Sequence, residues 1–400
     1  MITLVGIGDD GWDGLTAPAR DAIAGAQTLV GGARHLDLIP DDATTAHRRA
    51  WPSPMTALLD DLPNLENTVV LASGDPMLHG VGASIARRMG ADGVQVIPAP
   101  SAFTLACARL GWPAADTELV SLVARPVERL LPHLAPGRRV VAYVSDRDGA
   151  RTVAALLRAH GFGPSDLTVL EHLGGADERI VHTTARALPD EPVAQLHTVA
   201  LVCRPAPGAR VLPRTPGLPD DAYDHDGQIT KREARALTLA ALGPLPGELL
   251  WDVGAGSGSI GIEWMRAHPA NRAIAVEPKP DRAARATVNA RQLGVPHLMV
   301  VEGRAPAALE GLEPPDAIFV GGGLTNDGVL EACLAALRPG GRLVATAVTL
   351  ETEQTLAAAH TEHGGRLVRL SVARAEPIGG FTGWRPQMPL TQWTLELPRA

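Results

Sequence analysis

Residues 251–264 read WDVGAGSGSIGIEW and place a series of glycines between an apolar run and an amphipathic run. Glycine lets a backbone approach a ligand where a Cβ atom would clash, and the N-terminus of a following helix favours electron-rich groups. The pattern therefore predicts a strand, a ligand-binding turn and a helix. One spacing, Gly256-x-Gly258-x-x-Gly261, matches the dinucleotide fingerprint and favours a nicotinamide cofactor.

A second spacing in the same stretch is Asp252-x-Gly254-x-Gly256-x-Gly258, with an acid at the end of the strand. A carboxylate there would neutralise the amino group of a methionine moiety, whereas it would repel a pyrophosphate. The acid therefore favours S-adenosylmethionine. Glu277 ends the next predicted strand and would bind both ribose hydroxyls with either cofactor.

Three further turns follow apolar strands in the first half: LVGIGDDG at 4–11, LASGDPMLHGVG at 71–82 and IPAPSAFTLACARLGWP at 97–113. Each puts small or φ-restricted residues where ligands usually bind in open α/β sheets. None is a P-loop, because no Gly-Lys-Ser/Thr follows. Taken singly, each is most simply a plain turn between strand and helix, but their order and spacing together form a specific set.

The elements that must position these turns alternate between strand and helix in both halves, which predicts α/β domains with largely parallel sheets. The predicted strands are 2–5, 68–72, 94–97, 139–144, 167–170 and 197–202, then 248–253, 272–276, 297–301, 315–320 and 341–347. The predicted helices of the second half are 259–268, 279–292, 325–337 and 350–361. Residues 365–398 are expected to form two long antiparallel strands.

Four hundred residues exceed one usual core, so we predict two domains, 1–204 and 223–400. Between them the stretch RPAPGARVLPRTPGLPDD contains five prolines, which cannot sustain a helix or a central strand. We interpret residues 205–222 as a linker.

Composition excludes several classes of protein. The net charge of −8 argues against nucleic acid as a partner. The apolar runs are too short to span a bilayer, and the N-terminus lacks the features of a signal peptide, so we expect no membrane association and a cytoplasmic location. The three cysteines and thirteen histidines show no metal-binding spacing, so we expect no metal.

The first half resembles the tetrapyrrole (precorrin) methylases through VGIGDDG, ASGDPMLHG, PAPSAFTLA, SLVARP and EHLGGADERI. The second half resembles the decarboxylating precorrin methyltransferases through HDGQITKREARA, WDVGAGSGSIGIEW, FVGGG, RPGGRLVATAVTLETE and WRPQMPLTQW. The resemblance implies a two-lobed tetrapyrrole methylase fold followed by a class I, Rossmann-like methyltransferase sheet.

The fused pair implies methylation of precorrin-6B at C5 and C15, with loss of carbon dioxide from the ring C acetate, giving precorrin-8 in cobalamin biosynthesis. Each domain would bind one S-adenosylmethionine. The C-terminal domain would carry out C15 methylation and decarboxylation, and the N-terminal domain C5 methylation. Relatives of both halves self-associate, so a homo-oligomer is expected.

The resemblance also implies site residues. The first cofactor site would contain Gly6, Gly8, Gly74, Asp75, Pro76, Ser101 and Ala102, with Leu122, His172 and Leu201 contributed by the second lobe. Val123 stands where related chains often have a histidine. In the second domain Arg304 stands where an acid-containing turn is usual, so adenine would be bound by the backbone of Arg304 and Ala305.

A substrate with many carboxylates requires local cations. Lys231 and Arg235 are four residues apart, as on one helix face, and Thr230-x-x-Glu233 also matches a capping box. The remaining candidate substrate contacts are Asp226, Gly321, Gly322, Gly323, Arg374, Trp384 and Arg385, although Trp384 could equally pack the terminal strands. No catalytic side chain is identified, because the nucleophile is a carbon atom of the macrocycle itself.

Three alternatives remain open from the residues. The dinucleotide spacing would fit a two-domain NAD-dependent oxidoreductase. The N-terminal fold would also fit a methyltransferase acting on RNA or protein. The first half could instead be a binding module without catalytic activity.

Overall fold

The computed structural model describes residues 1–399, and the chain forms two compact units. The first contains residues 1–127 and 133–211, and the second contains residues 128–132 and the chain from residue 212 onward. The proline-rich segment is thus divided between the units. In the second unit, Leu218 and Tyr223 are buried among apolar side chains.

The first lobe of the first unit is a parallel sheet with the strand order β3-β2-β4-β1-β5. Its strands are β1 (Ile2–Ile7), β2 (Thr28–Gly31), β3 (His47–Ala50), β4 (Thr68–Ser73) and β5 (Val94–Ile97). Its helices are α1 (Gly11–Gly14), α2 (Ala17–Ala24), α3 (Ala33–Asp37), α4 (Thr56–Asp61), α5 (Val81–Met89) and α6 (Ala102–Leu110). Because β1 lies between β4 and β5, the turns that follow these three strands meet at one edge of the sheet.

The second lobe is a mixed sheet with the order β6-β7-β10-β8-β9. It contains β6 (Thr117–Ser121), β7 (Arg139–Tyr143), α7 (Gly149–Ala159), β8 (Asp166–Glu171), β9 (Arg179–Thr184) and β10 (His197–Val202). The pairings of β10 with β7 and β8 are antiparallel. The turn after β8, which contains His172, lies at the end of the lobe that faces the cavity described below.

The second unit is built on a 7-stranded sheet with the order β13-β12-β11-β14-β15-β19-β16. Its strands are β11 (Leu249–Val253), β12 (Arg272–Glu277), β13 (Met299–Glu302), β14 (Ala317–Val320), β15 (Arg342–Ala347), β16 (Arg366–Leu370) and β19 (Leu390–Glu396). The helices are α8 (Arg232–Leu242), α9 (Ser259–Ala267), α10 (Pro280–Gln292), α11 (Val329–Ala336) and α12 (Leu350–His363). The strand order reverses between β11 and β14, which is where ligands bind in open α/β sheets.

Strand β11 is buried along its whole length, as expected for a central parallel strand covered on both faces. Leu249, Trp251 and Val253 belong to one apolar cluster, and Leu250 belongs to another. This alternation places Asp252 on the same side of the sheet as Leu250. The strand therefore holds its carboxylate inside the protein, directly before the glycine turn.

The predicted α/β class is confirmed, and every strand predicted before residue 350 is present within a few residues. The prediction missed β2, β3, β6 and β9. It was wrong about residues 365–398, which form four strands rather than two. Antiparallel β16 and β19 join the sheet, and β17 (Ala373–Ile378) and β18 (Phe381–Pro386) form a separate hairpin. The glycine pair at 379–380 makes the turn that divides this hairpin, and Gly379 has a φ of +59°.

Candidate functional sites

The second unit contains a cavity of about 1150 Å³ at the carboxyl ends of its central strands. The predicted cofactor and substrate residues that line it are Thr230, Lys231, Gly254, Gly256, Glu277, Arg304, Ala305, Gly321, Gly322, Gly323, Arg374 and Arg385. The cavity opens at the reversal of strand order, so the fold and the sequence pattern indicate the same place.

The glycine turn after β11 requires its glycines. Gly254, Gly256 and Gly258 have φ angles of +74°, +58° and +76°, which residues other than glycine rarely adopt. A Cβ atom on Gly254 would also lie 2.8 Å from the amide nitrogen of Gly322. The turn after β11 and the turn after β14 therefore touch through their backbones. Together they form the floor of the cavity.

Glu277 lies at the end of β12, where it is almost fully buried and lines the cavity. Its Oε2 atom accepts a hydrogen bond from the Gly256 amide at 2.8 Å, and Oε1 accepts one from the Lys279 amide at 3.0 Å. A carboxylate has acceptor capacity beyond these two bonds. The side chain is thus fixed by backbone donors and can still accept hydrogen bonds from a ligand with two hydroxyls.

Asp252 does not line the cavity and is 1% exposed. Its Oδ2 atom accepts a hydrogen bond from the Gly261 amide at 2.9 Å, while Oδ1 has no hydrogen-bond partner. Burial, and to a lesser degree the charge of Glu277, raises the pKa of Asp252 to about 7. The carboxylate lies beneath the glycine turn and ties the first turn of α9 to β11.

Positive side chains line the cavity of the second unit, which we call the second cavity. Arg374 bonds to Glu233 at 2.6 Å, and this contact lowers the pKa of Glu233. Arg385 bonds to Glu376 at 3.0 Å. Lys231, Lys279, Arg282 and Arg304 also line the cavity. The cavity lining therefore carries six cations and two carboxylates, those of Glu277 and Glu376, within a chain of net negative charge.

Asp226 does not line the cavity. Its carboxylate bonds to Arg282 at 2.8 Å, and this bond, followed by smaller contributions, lowers the pKa of Asp226. Arg282 does line the cavity. Asp226 is therefore placed to orient a cation of the site and not to contact a ligand itself.

The prediction that Arg235 contacts substrate is wrong, because Arg235 is completely buried within the second unit. Its Nε atom donates to Glu263 at 2.6 Å, and its guanidinium lies 4.8 Å from the centre of the Tyr223 ring. Glu263 also accepts hydrogen bonds from the amides of Gly217 at 2.6 Å and Leu218 at 3.1 Å, and from the Tyr223 hydroxyl at 2.8 Å. Arg235 thus belongs to the network that holds residues 217–223 against α9.

The predicted capping box at Thr230 and Glu233 is also wrong. Helix α8 begins at Arg232, its N-cap is Lys231, and no side chain caps it. Glu233 bonds to Arg374 instead. Because Lys231 precedes the helix, the spacing of four residues does not put it on one helix face with Arg235. Lys231 therefore lines the cavity while Arg235 points into the core.

The glycines after β14 have different reasons to be glycine. A Cβ atom on Gly321 would lie 2.7 Å from the Phe319 ring, so packing excludes a larger residue there. A Cβ atom on Gly322 would meet nothing within 4 Å, so its small size leaves the cavity open. Trp384, on the β17–β18 hairpin, is 74% exposed and lies outside the cavity lining.

The first unit contains a cavity of about 420 Å³ between the strand ends of its two lobes. Of the predicted residues, Gly8, Gly74, Ser101, Ala102, Val123 and His172 line it. Gly6 does not, but a Cβ atom there would overlap the carbonyl oxygen of Gly74. Gly6 therefore lets the turns after β1 and β4 meet, and Gly74 has a φ of +57°.

The other predicted residues of the first unit lie behind the cavity wall. Asp75 shapes its own turn by accepting a hydrogen bond from the Met77 amide at 2.8 Å. Pro76 packs against Gly80 and Gly82, where added Cβ atoms would clash with it. Leu122 and Leu201 are buried in the second lobe and do not line the cavity.

The sequence did not indicate a polar cluster in the first cavity. Asp9 bonds to Arg34 and to His172, each at 2.8 Å, and His35 bonds to the Ser73 hydroxyl at 2.8 Å. Burial, with a contribution from Arg34, lowers the pKa of His35 to about 4. His172 alone was named, through the resemblance. Arg34 follows β2, a strand that the pattern missed.

Within residues 1–399, no helix has both the length and the apolar character needed to cross a membrane. Over the same residues, histidine, cysteine, aspartate and glutamate form no group of three or more that could hold a metal ion. Cys107, Cys203 and Cys333 are free and buried.

Comparison with known families assigns both halves. The family described as Tetrapyrrole (Corrin/Porphyrin) Methylases matches residues 1–189, and the Precorrin methyltransferase domain matches residues 221–397. A Sinorhizobium sp protein named precorrin-6Y C(5,15)-methyltransferase [decarboxylating] is 51% identical over 395 residues, covering 98% of this chain and 95% of its own. This chain belongs to the precorrin-6Y C5,15-methyltransferase (decarboxylating) family.

A second family member, from Mycobacterium tuberculosis (strain CDC 1551 / Oshkosh), is 46% identical over 403 residues and covers 99% of both chains. The solved C-terminal domain of the precorrin-6Y C5,15-methyltransferase from Rhodobacter capsulatus is 47% identical, with a TM-score of 0.44, and covers 46% of this chain and 98% of its own. The resemblance found in the motifs is confirmed. The chain is an S-adenosylmethionine-dependent, decarboxylating C-methyltransferase, and S-adenosylmethionine is its methyl donor.

Proposed function

We propose that this chain methylates precorrin-6B at C5 and C15 and removes carbon dioxide from the ring C acetate, giving precorrin-8 in cobalamin biosynthesis. The observation that carries this proposal is that one chain contains two glycine-lined cavities, one in each unit, at the carboxyl ends of strands. Two such sites would allow one chain to carry out two separate methyl transfers. Similarity along the full length to decarboxylating C5,15-methyltransferases supports the same conclusion.

We further propose one S-adenosylmethionine per unit. In the second unit the backbone of Gly254 and Gly256 would support it, Glu277 would accept hydrogen bonds from the ribose hydroxyls, and the backbone of Arg304 and Ala305 would contact the adenine. The fit rests on a cradle that any Cβ atom would alter and on a carboxylate already fixed by two amides. When bound, the cofactor supplies an electrophilic methyl group on a sulfonium.

In the first unit Gly8, Gly74, Ser101 and Ala102 are the proposed cofactor contacts. Ser101 is the N-cap of α6 and accepts a hydrogen bond from the Thr104 amide at 3.1 Å, so the start of this helix is fixed at the cavity. The turns that follow β1, β4 and β5 meet at one edge of the first sheet, and all four residues lie in or next to these turns. The protein thus orients a bound methyl donor with backbone rather than with charge.

The substrate carboxylates are proposed to bind Lys231, Arg374 and Arg385 at the mouth of the second cavity. These cations suit carboxylates that stay in place during the reaction. A cation paired with the reacting acetate would stabilise its charge and oppose the loss of carbon dioxide. We therefore expect the reacting acetate to lie farther inside, near Phe319 and Gly322, where the wall is apolar and the electrons can pass into the conjugated macrocycle.

We assign C15 methylation and decarboxylation to the second unit and C5 methylation to the first. We also propose a cytoplasmic location and a homo-oligomer, from the resemblance to the families of each half. Proximity and orientation within each cavity would supply most of the catalysis, because methyl transfer from a sulfonium needs an in-line approach and no protein nucleophile.

Mass spectrometry of the products tests the proposal. With precorrin-6B and S-adenosylmethionine, the purified chain should add two methyl groups and release one carbon dioxide. Calorimetry should give two S-adenosylhomocysteine sites per chain. Tight NAD binding without S-adenosylhomocysteine binding, or unchanged substrate mass, would reject the assignment.

A further inference from the structure

A histidine and an aspartate from different lobes meet in the cavity of the first unit. Asp9 follows β1, and its Oδ2 atom bonds to Nδ1 of His172, which follows β8, at 2.8 Å. The other carboxylate oxygen, Oδ1, accepts a hydrogen bond from Arg34 at 2.8 Å. Asp9, Arg34 and His172 all line the cavity together with Gly8 and Gly74.

The local backbone is shaped to hold this contact. His172 has a φ of +49°, which is uncommon for a residue other than glycine and is found at functional sites when the surroundings enforce it. The Gly175 amide donates to the His172 carbonyl at 2.8 Å and closes the turn. A Cβ atom on Gly175 would lie 2.5 Å from Oδ2 of Asp9, so glycine there makes room for the carboxylate.

The contact determines which imidazole nitrogen can accept a proton. Asp9 is an acceptor, so Nδ1 carries the hydrogen and donates it, which leaves the lone pair on Nε2. An imidazole held by a partly buried carboxylate in this manner is the arrangement of a general base. His172 also lines the cavity, so it is positioned for such a role at the ligand.

We propose that His172, oriented by Asp9, accepts the proton released by methyl transfer in the first unit. This inference rests on the proposed function, in which that unit methylates an unsaturated ring carbon. The carbon forms a bond to the methyl group, and the electrons of the carbon–sulfur bond go to sulfur. The carbon–hydrogen bond then breaks, its electrons restore the conjugation of the macrocycle, and Nε2 takes the proton.

Other groups in this cavity are less suited to accept a proton. Nε2 of His35 is bonded to Ser73, and burial lowers the pKa of His35 to about 4. The rings of His79 and Tyr143 pack nearly perpendicular to each other, and burial lowers the pKa of His79 and of His197. The Tyr143 hydroxyl accepts a hydrogen bond from the Phe103 amide. Among these groups, His172 combines a carboxylate partner at Nδ1 with a position on the cavity wall.

The test is the full chain with His172→Asn, because asparagine tolerates a positive φ and keeps a donor for Asp9. We expect C5 methylation to fall about 100-fold or more. C15 methylation and decarboxylation by the same molecules should continue at the wild-type rate. Calorimetry should still give wild-type binding of S-adenosylhomocysteine. The matched control is His182→Asn on β9, where the side chain bonds to Thr168 outside the cavity, and its rates should be unchanged.

A second variant separates proton transfer from structure. His172→Gly also accepts a positive φ and leaves space for a small base, so added imidazole should restore part of the C5 methylation. The inference is overturned if His172→Asn methylates C5 within threefold of the wild type, if its loss is explained by weaker S-adenosylhomocysteine binding, or if imidazole restores nothing. A wild-type chain that adds no methyl group at C5 would instead overturn the proposed function.

Discussion

The cavities of the two units differ in the side chains that line them. The lining of the first cavity includes His172 beside Asp9, whereas the lining of the second, in the part of the chain that the structure describes, includes no histidine and several cations. Methyl transfer to an unsaturated carbon releases one proton. Decarboxylation consumes one, because the carbon that loses carbon dioxide must be protonated. In the proposed reactions of the second unit, the proton released by methylation is offset by the proton consumed in decarboxylation. The proposed reaction of the first unit releases a proton that no other step consumes.

The glycines that follow the strands are required for two different structural reasons. In the second unit, Gly254, Gly256 and Gly258 are needed for left-handed backbone, and carboxylates hold the turn from below and beside it. In the first unit, Gly6 is needed because two turns meet there. A glycine after a strand therefore marks a close approach of two turns at Gly6 and Gly254 and a left-handed backbone at Gly74, Gly254, Gly256 and Gly258, although the sequence patterns look alike.

The largest expected effect comes from a pair of glycine substitutions, one in each unit. Gly254→Ala forces a side chain into left-handed backbone and places its Cβ atom 2.8 Å from the Gly322 amide. We expect C15 methylation and decarboxylation to fall about 100-fold or more, because small displacements at a reacting centre are costly. Gly6→Ala should affect C5 methylation in the same way. Product masses measure both.

The control for this pair is Gly247→Ala, where φ is +87° and a Cβ atom would meet nothing within 4 Å. It separates backbone strain from crowding of the site, and its product pattern should match the wild type. If Gly6→Ala and Gly254→Ala each suppressed both methylations equally, the assignment of one reaction to each unit would be rejected.

The next effect concerns the buried pair of the second unit. Arg235→Met leaves Glu263 with an uncompensated buried charge, so the free energy of unfolding should fall by about 3 kcal/mol or more. Calorimetric unfolding measures it. The matched control is Arg272→Met, which removes a half-exposed partner of Glu313 and should cost less than about 1 kcal/mol. Equal losses in the two variants would contradict the network described for Glu263.

A third test compares two acids that bind backbone amides. Glu277→Gln keeps the shape but weakens the charged contact at the second cavity, so affinity there for S-adenosylhomocysteine should fall about tenfold. Asp75→Asn, in the first unit, changes a side chain that shapes its turn without lining the cavity and should alter affinity little. Calorimetry of both variants measures each site. The reverse ranking would mean that turn shape matters more than direct contact.

The smallest effect is expected at the cavity mouth. Lys231→Met removes one cation that lines the second cavity, and loss of about 1 kcal/mol would raise KM about fivefold with kcat little changed. Arg232→Met, at the adjacent position outside the cavity lining, is the control. Steady-state kinetics in low and moderate salt distinguish them, since screening should reduce the difference. A Lys231→Met KM equal to that of the control would remove Lys231 from the substrate site.

Local patterns predicted the position of the glycine turn that lines the second cavity. Asp252, the three glycines and Glu277 lie at two strand ends whose order follows from parallel α/β geometry, so short-range reading brought them close to their actual places. The role of Asp252 could not be predicted from the sequence, because its burial depends on which face of β11 the core covers. The prediction for Arg235 was wrong for a related reason. Helix α8 begins one residue later than the capping box predicted, and this changes which side chains share a helix face.

Long-range contacts were beyond such reading. Asp9 and His172 are 163 positions apart and belong to different lobes. No periodicity connects them, and the strand before Arg34 is short. The terminal residues 365–398 were predicted as two strands because the pattern shows extended segments, whereas the turn at Gly379 decides that two of them form their own hairpin.

The Glu263 network has a practical consequence for anyone dividing this chain. The Glu263 carboxylate accepts hydrogen bonds from the amides of residues 217 and 218, inside the proline-rich stretch that the sequence pattern predicts to be a linker. A fragment cut at residue 223 would lack these donors and leave a buried anion short of hydrogen bonds. The second unit resumes at Leu212, whose carbonyl accepts a hydrogen bond from Arg266, so fragments of this unit should start at or before Leu212. A protease site inserted near 217 should reduce solubility more than one inserted near 208.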